Sequence, residues 1–263
     1  MPAALLISAL VVAVAAAVRS TWSPCGWSML STITPLTERS RGHRFGATAA
    51  WFVVGATLGG LALGTLGALS ALLVRLVDLS PATRLVVAGI AVATAVAFDT
   101  GLLGPALPHH RRQVNERWLD EFRPWVYASG FGAQIGAGLA TYIMTASVYL
   151  VVVLGAVTAA PWSGLLLGAT FGATRGAAVL AGRNSVSPET LTRFHQRFAA
   201  WAEPSRRAVI AVDSVVAVGL LATGATGPAI GAGAALLAVA ASAIALHLSR
   251  VSPVRSSRRP ALD

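Results

Sequence analysis

The chain has 263 residues, of which 55% are hydrophobic and 11% charged, with a mean hydropathy of +0.69. Such a composition is too apolar and too poorly charged for a soluble enzyme of this length, and that class is excluded. The net charge of +10 rests on twenty basic residues, all of them Arg. It opens a nucleic-acid-binding reading that only the placement of the arginines can decide.

Taken in chain order, apolar runs long enough to cross a bilayer, bounded by Arg or Pro, recur through the sequence. They are Ala4 to Leu36, Phe45 to Val74, Leu85 to Leu103, Tyr127 to Val157, Trp162 to Gly182, Ala208 to Thr223 and Ala229 to Leu248. This predicts an all-α, polytopic membrane protein of about seven spans, a single transmembrane domain over 1–263 with a basic tail at 249–263. A cleaved signal peptide is the rival reading of the N-terminus, suggested by Ala15 to Ala17. It is disfavoured because no positive charge precedes the apolar run.

An N-out, C-in orientation in the cytoplasmic (inner) membrane puts sixteen of the twenty arginines in cytoplasmic segments. They fall at 39–44, 111–123, 183–207 and 250–259, leaving Arg75 and Arg84 outside and Arg19 and Arg175 within spans. That is the positive-inside bias. The charge therefore reports on orientation and on the lipid bilayer as partner, and nucleic acid is not expected.

The motif Gly55-Ala56-Thr57-Leu58-Gly59 of the second span recurs as Gly168-Ala169-Thr170-Phe171-Gly172 in the fifth. Both follow an overlong first segment, and a unit of three spans enters from the opposite side when repeated. We therefore expect two inverted three-helix repeats, 4–104 and 127–223, with an extra span at 229–248. The first segments, 33 and 31 residues long, would measure roughly 45–50 Å as straight helices, so each must break. The predicted breaks are Arg19 to Gly26 and Ser129 to Gln134. Unwound backbone at membrane depth survives only when buried or lining a wet cavity, which makes the breaks candidate sites. The competing reading of Gly130, Gly132, Gly136 and Gly138 is close helix packing.

Ser23-Pro24-Cys25 has the form of a half-helix start, with Ser23 as N-cap and Pro24 at the first helical position. Cys25 then sits in a first turn whose free N–H groups, together with Arg19, favour a thiolate. A buried structural Cys is the alternative, and as the lone Cys of the sequence it excludes an internal disulfide.

Ser23-Pro24-Cys25, the downstream Pro35, the basic loop and the Gly-rich span together resemble the transmembrane domain of the CcdA/DsbD thiol–disulfide family, within the LysE-like superfamily. The resemblance implies handling of thiols or reducing equivalents through Cys25, in cytochrome c biogenesis or disulfide reduction, with a thioredoxin-like or haem-maturation partner. A small-solute exporter and a membrane assembly scaffold are the alternatives. The pattern lacks the family's second cysteine, and Gln134 stands opposite Cys25.

The intramembrane ionisable residues Asp99, Arg175 and Asp213 fall at similar depths, which permits an ion-paired cluster acting as an inner gate or ion-coupling site. Gly132, Gln134, Thr141, Tyr142 and Thr145 follow the second break and could line a path. Trp118, Trp125 and Tyr127 have the character of an interfacial anchor, and Glu189 to Trp201 that of an amphipathic surface helix. His109 and His110 lack neighbouring carboxylates or Cys, so no metal is expected, and no motif calls for a cofactor.

Overall fold

A computed structural model of the chain describes residues 3–103 and 121–226, and every described regular element is helical. The expected span over Ala229 to Leu248, the basic tail, His109, His110 and Trp118 lie outside the described residues. Five described helices are long and apolar enough to cross a membrane: Ala3–Ser20, Phe45–Leu76, Pro81–Thr100, Pro161–Gly182 and Ala202–Thr226. The chain is an all-helical, multi-pass membrane protein. Its outer surface bears the large apolar side chains such a protein turns toward lipid, among them Ile7, Leu58, Leu69, Leu73 and Ile90.

The first long apolar segment is broken as expected. α1 (Ala3–Ser20) ends where Ser20 and Thr21 donate their hydroxyls to the carbonyls of Ala16 and Ala17, at 2.7 and 3.3 Å. α2 (Pro24–Thr32) begins after Ser23, whose Oγ accepts from the Gly26 backbone N–H at 3.2 Å, with Pro24 in the first turn. Between them the chain doubles so tightly that a Cβ at position 26 would lie 1.9 Å from the Thr21 carbonyl oxygen. Only glycine fits there. α3 (Pro35–Ser40) follows, started by a capping box between Thr34 and Thr37.

α4 (Phe45–Leu76) is unbroken over 32 residues. A turn through Asp78 leads to α5 (Pro81–Thr100), capped by Ser80 at its start and by left-handed Gly101, φ +83°, at its end. The second overlong segment is also broken, but in a different place from the expected one. α6 (Pro124–Gly136) is helical straight through Ser129 to Gln134, and the unwound stretch is Ala137 to Ala146, before α7 (Ser147–Val157). The reason lies in what the glycines face. A Cβ on Gly132 would stand 2.2 Å from the Phe52 carbonyl oxygen, and one on Gly136 1.9 Å from that of Ala56. Both glycines are contact points with α4 inside a continuous helix. The glycine that turns the chain is Gly138, at φ +63°.

α8 (Pro161–Ala177) runs on into a 3₁₀ turn (Ala178–Gly182). α9 (Pro188–Ala200) is the expected amphipathic helix, with a capping box between Ser187 and Thr190. The Ser187 hydroxyl also holds the exposed Glu189 carboxyl below its usual range. α10 (Ala202–Thr226) is longer than the predicted sixth span and starts ahead of it, because Glu203 pairs with both Arg206 and Arg207 in its first turns.

The helices pack reciprocally. α4 lies against α8 and α6, α5 against α10, and α1 against α7, α8 and α10. The helix after each broken segment thus meets the other, and so do the two helices that follow them, α5 and α10. The α4–α8 contact joins backbone to backbone: a Cβ on Gly60 would meet the Gly168 carbonyl oxygen at 2.2 Å, and one on Gly168 the Gly60 oxygen at 2.2 Å. Gly168 and Gly172 of the second motif thus pack on α4, whereas Gly55 and Gly59 of the first face Ser129 and Ala133 of α6.

Candidate functional site

Arg175 projects from α8 into the space where both broken segments come together, and only 1% of it is exposed. Its Nη1 donates to the Ile135 carbonyl at 2.7 Å and to Thr141 Oγ1 at 3.3 Å. Its Nη2 donates to Ser23 Oγ at 3.2 Å and reaches the Ser20 carbonyl at 3.5 Å. Every one of these acceptors belongs to a break. Ser20 closes α1 and Ser23 caps α2, while Ile135 lies in the last turn of α6 and Thr141 in the unwound stretch beyond it. The last carbonyls of a helix have no intrahelical partner and carry the negative end of its dipole. Two such ends converge on one guanidinium, whose forked donors suit the task. Among the described residues Arg175 has no carboxylate within ion-pair distance. Its Nε is buried with no hydrogen-bond acceptor.

Cys25, 1% exposed, is the second residue of α2, as the half-helix reading expects. Two residues before it, Ser23 Oγ accepts from Arg175 Nη2. Arg19 is directed elsewhere, and its expected support of Cys25 is corrected: its Nη1 donates to the Ala202 carbonyl at 3.1 Å and to Ser205 Oγ at 3.3 Å, both on α10. Gln134 is half-buried on the continuous part of α6, so it does not mirror Cys25 across matching breaks. Tyr142 is half-buried in the second break.

The expected three-residue charge cluster divides. Asp99 and Asp213 do come together, through hydroxyls of the second break and α7, whereas Arg175 stays with the breaks. The Asp99 carboxylate accepts from Thr145 Oγ1 and, at 2.8 Å, from the Ala146 backbone N–H. Ser147 Oγ lies 3.0 Å from Thr145 Oγ1 and 2.5 Å from Asp213 Oδ2. Helix rise says nothing of azimuth, and Arg175 reaches from α8 to the acceptors at the two breaks instead.

A third buried centre is absent from the sequence reading. Glu38 of α3 is fully buried and accepts from Thr48 Oγ1 at 2.6 Å, from Tyr127 OH at 2.9 and 2.8 Å, and from Arg41 at 3.3 Å. It sits in a run of arginines that reads as a solvated basic loop, and no local signal marks it. Tyr127, taken as an interfacial anchor, is instead 0% exposed and closes this network, while Trp125 beside it is half exposed.

Over this end of the bundle α9 lays its apolar face on the first break. The Trp22 and Phe198 rings stack at 4.6 Å, Trp22 Nε1 donates to the Phe198 carbonyl at 2.8 Å, and Trp27 meets Phe198 edge-on at 5.0 Å. A surface cavity of about 340 Å³ lined by Asn184, Thr190, Arg193 and Arg197 adjoins it. Another, of about 480 Å³, lies beside Arg75, Arg84 and Trp162.

Comparison with curated proteins finds relatives outside the family that the Ser-Pro-Cys motif resembles. The chain is similar to the methylamine utilization proteins MauF. It is 35% identical over 138 residues to the MauF of Methylophilus methylotrophus, covering 50% of this chain and 47% of that protein. It is 32% identical over 144 residues to that of Paracoccus denitrificans, covering 52% and 50%. With the MauF of Methylorubrum extorquens it shares 28% over 164 residues, 59% and 55% of the two chains. The chain thus spans about half the length of the curated relatives it matches. No family model matches it, and no solved structure does.

These matches overturn the resemblance to CcdA/DsbD. Ser-Pro-Cys in a broken first helix reflects how a half-helix starts, since a serine cap and a proline at the first position serve any such start, and carries no family identity by itself. The readings built on that resemblance are replaced with it. Thiol or reducing-equivalent handling, cytochrome c biogenesis and solute export find no support in relatives that are named for methylamine utilization.

Proposed function

We propose that this chain is a multi-pass protein of the cytoplasmic membrane that serves methylamine utilization, and that Arg175 is the residue on which this role depends. The observation that carries the reading is its likeness to MauF proteins of several bacteria. The Arg175 centre supports it as the functional locus: a fully buried cation inside a membrane is costly and is retained where a task requires it. The arginine distribution supports an N-out, C-in orientation.

The test is deletion of the gene in its own host, followed by growth on methylamine and on a substrate that is not an amine. The expected result is loss of growth on methylamine alone, restored by the wild-type gene and not by Arg175→Met. Growth on methylamine at the parental rate after deletion, or a host that never grows on it, overturns the assignment.

A further inference from the structure

Hydrogens can be counted along the path joining the two buried carboxylates. The path runs Asp99 Oδ2, Thr145 Oγ1, Ser147 Oγ, Asp213 Oδ2, and has three oxygen-to-oxygen links. Each link needs one hydrogen, and each hydroxyl supplies one. With both carboxylates ionised, Thr145 donates to Asp99 and Ser147 to Asp213. The 3.0 Å contact between Thr145 Oγ1 and Ser147 Oγ is then two oxygens facing each other with no hydrogen between them. One further proton completes the set.

We infer that Asp99 and Asp213 form a single-proton site, holding one proton between them on a relay through Thr145 and Ser147. In one state Asp213 Oδ2 carries the proton and donates to Ser147 Oγ, Ser147 donates to Thr145 Oγ1, and Thr145 donates to ionised Asp99. In the other, each hydrogen has moved one oxygen along. The Asp213 O–H bond breaks as a Ser147 O–H forms, the former Ser147 hydrogen passes to Thr145, and the former Thr145 hydrogen passes to Asp99 Oδ2. Asp213 is left ionised, and no atom or charge is gained or lost. Thr145 Oγ1 also accepts from the Ser147 backbone N–H at 3.2 Å, which fills its remaining lone pair in either state.

The surroundings decide where the proton rests. Asp99 Oδ1 accepts from the Ala146 N–H at 2.8 Å, whereas Asp213 Oδ1 is buried with no hydrogen-bond partner. Asp99 is faced by the charges of Arg19 on α1 and Arg206 on α10, with Glu203 beyond, bonded to Arg206 and Arg207. Asp213, only 1% exposed, has Asp99 as its charged neighbour. α7 contributes Tyr149 as its titratable group and no charge. An unpartnered carboxylate oxygen is most costly when charged, so the proton resides on Asp213 and the charge on Asp99. This inference is independent of the assignment to methylamine utilization.

The test is infrared spectroscopy of the purified full chain in nanodiscs at neutral pH, in water and in deuterium oxide, following the carbonyl stretch of protonated carboxylic acid. Wild type minus Asp213→Asn is expected to show one such band, shifted by deuterium. Asp99→Asn, although it leaves Asp213 in place, is also expected to lose the band completely. The amide introduced in place of Asp99 supplies the missing hydrogen from its own N–H, so Asp213 becomes ionised. No band in either difference spectrum, or a band lost with Asp213→Asn and retained with Asp99→Asn, overturns the shared proton. Thermal melts give a second reading. Each single Asn variant is expected to melt close to wild type, and the double variant, with four hydrogens for three links, to fall by clearly more than the sum of the singles. Additive shifts overturn the count. If Asp99→Asn does not fold, Thr145→Val is expected to shift the Asp213 band by removing the relay, and an unshifted band overturns it.

Discussion

Arg175 Nη2 donates to Ser23 Oγ at 3.2 Å across 152 residues of sequence. This bond joins α8 to the N-cap of the half-helix α2. The same guanidinium holds Ile135 and Thr141 of the other break. Replacing it with Met keeps the length and removes every donor. Charge-assisted bonds to buried acceptors contribute roughly 1.5–3 kcal/mol each, so Arg175→Met is expected to cost on the order of 3 kcal/mol, with some recovery because no buried charge remains unpaired. Arg175→Lys retains the charge but not the fork. It is expected to melt between the two in a detergent-solubilised thermal assay. Equal melting of all three would show that the acceptors at the breaks find other partners.

The α4–α8 contact gives a prediction with an internal control. Gly60→Ala places a methyl against the Gly168 carbonyl oxygen 2.2 Å away, and the opposing atom is backbone that cannot rotate aside. Overpacking of this kind costs about 1–3 kcal/mol. Gly46, near the start of the same helix, has nothing within 4 Å of where a methyl would sit, so Gly46→Ala is expected to be neutral or to stabilise by about 0.5–1 kcal/mol. Paired thermal melts check both signs at once.

Glu38 depends on its donors. Tyr127→Phe removes the hydroxyl that reaches both carboxylate oxygens while preserving the ring, and leaves Thr48 and Arg41. A buried carboxylate deprived of a donor costs about 1–3 kcal/mol. Glu38→Gln in the Tyr127→Phe background is expected to recover part of the loss, because the amide carries no charge to be desolvated. A double-mutant cycle measures the coupling, and purely additive values would refute it.

Phe198 fastens α9 to the first break. Phe198→Ala is expected to expose Trp22, seen as a red shift and easier quenching of tryptophan emission. It should also bring faster proteolytic cleavage in 183–187, ahead of α9. Emission unchanged from wild type would show that Trp27 and Phe194 hold the helix unaided.

Much of the architecture was legible because the bilayer imposes length, and apolar runs record length directly. The first break could be located since Ser23 and Pro24 mark a helix start chemically. The second could not, because Gly132, Gly136 and Gly138 are alike in sequence. Two of them face carbonyl oxygens of α4, and only the third has positive φ. The similar depths of Asp99 and Asp213 permitted their meeting, but which side chains would share an azimuth was not foreseeable. Nor were the surroundings of Arg175, since its acceptors include two backbone carbonyls, which carry no residue-specific signature. Glu38 stayed hidden because its neighbours in sequence are arginines while its partners, Thr48 and Tyr127, lie on other helices.

The position of Arg175 in the chain also sets an order of assembly. Ser20, Ser23, Ile135 and Thr141 all leave the ribosome before it does, so both broken segments are made before this guanidinium. Until α8 inserts, the carbonyls that end α1 and α6 must be served by water or by provisional bonds. Arrival of α8 is therefore the step at which both broken segments can become dry together.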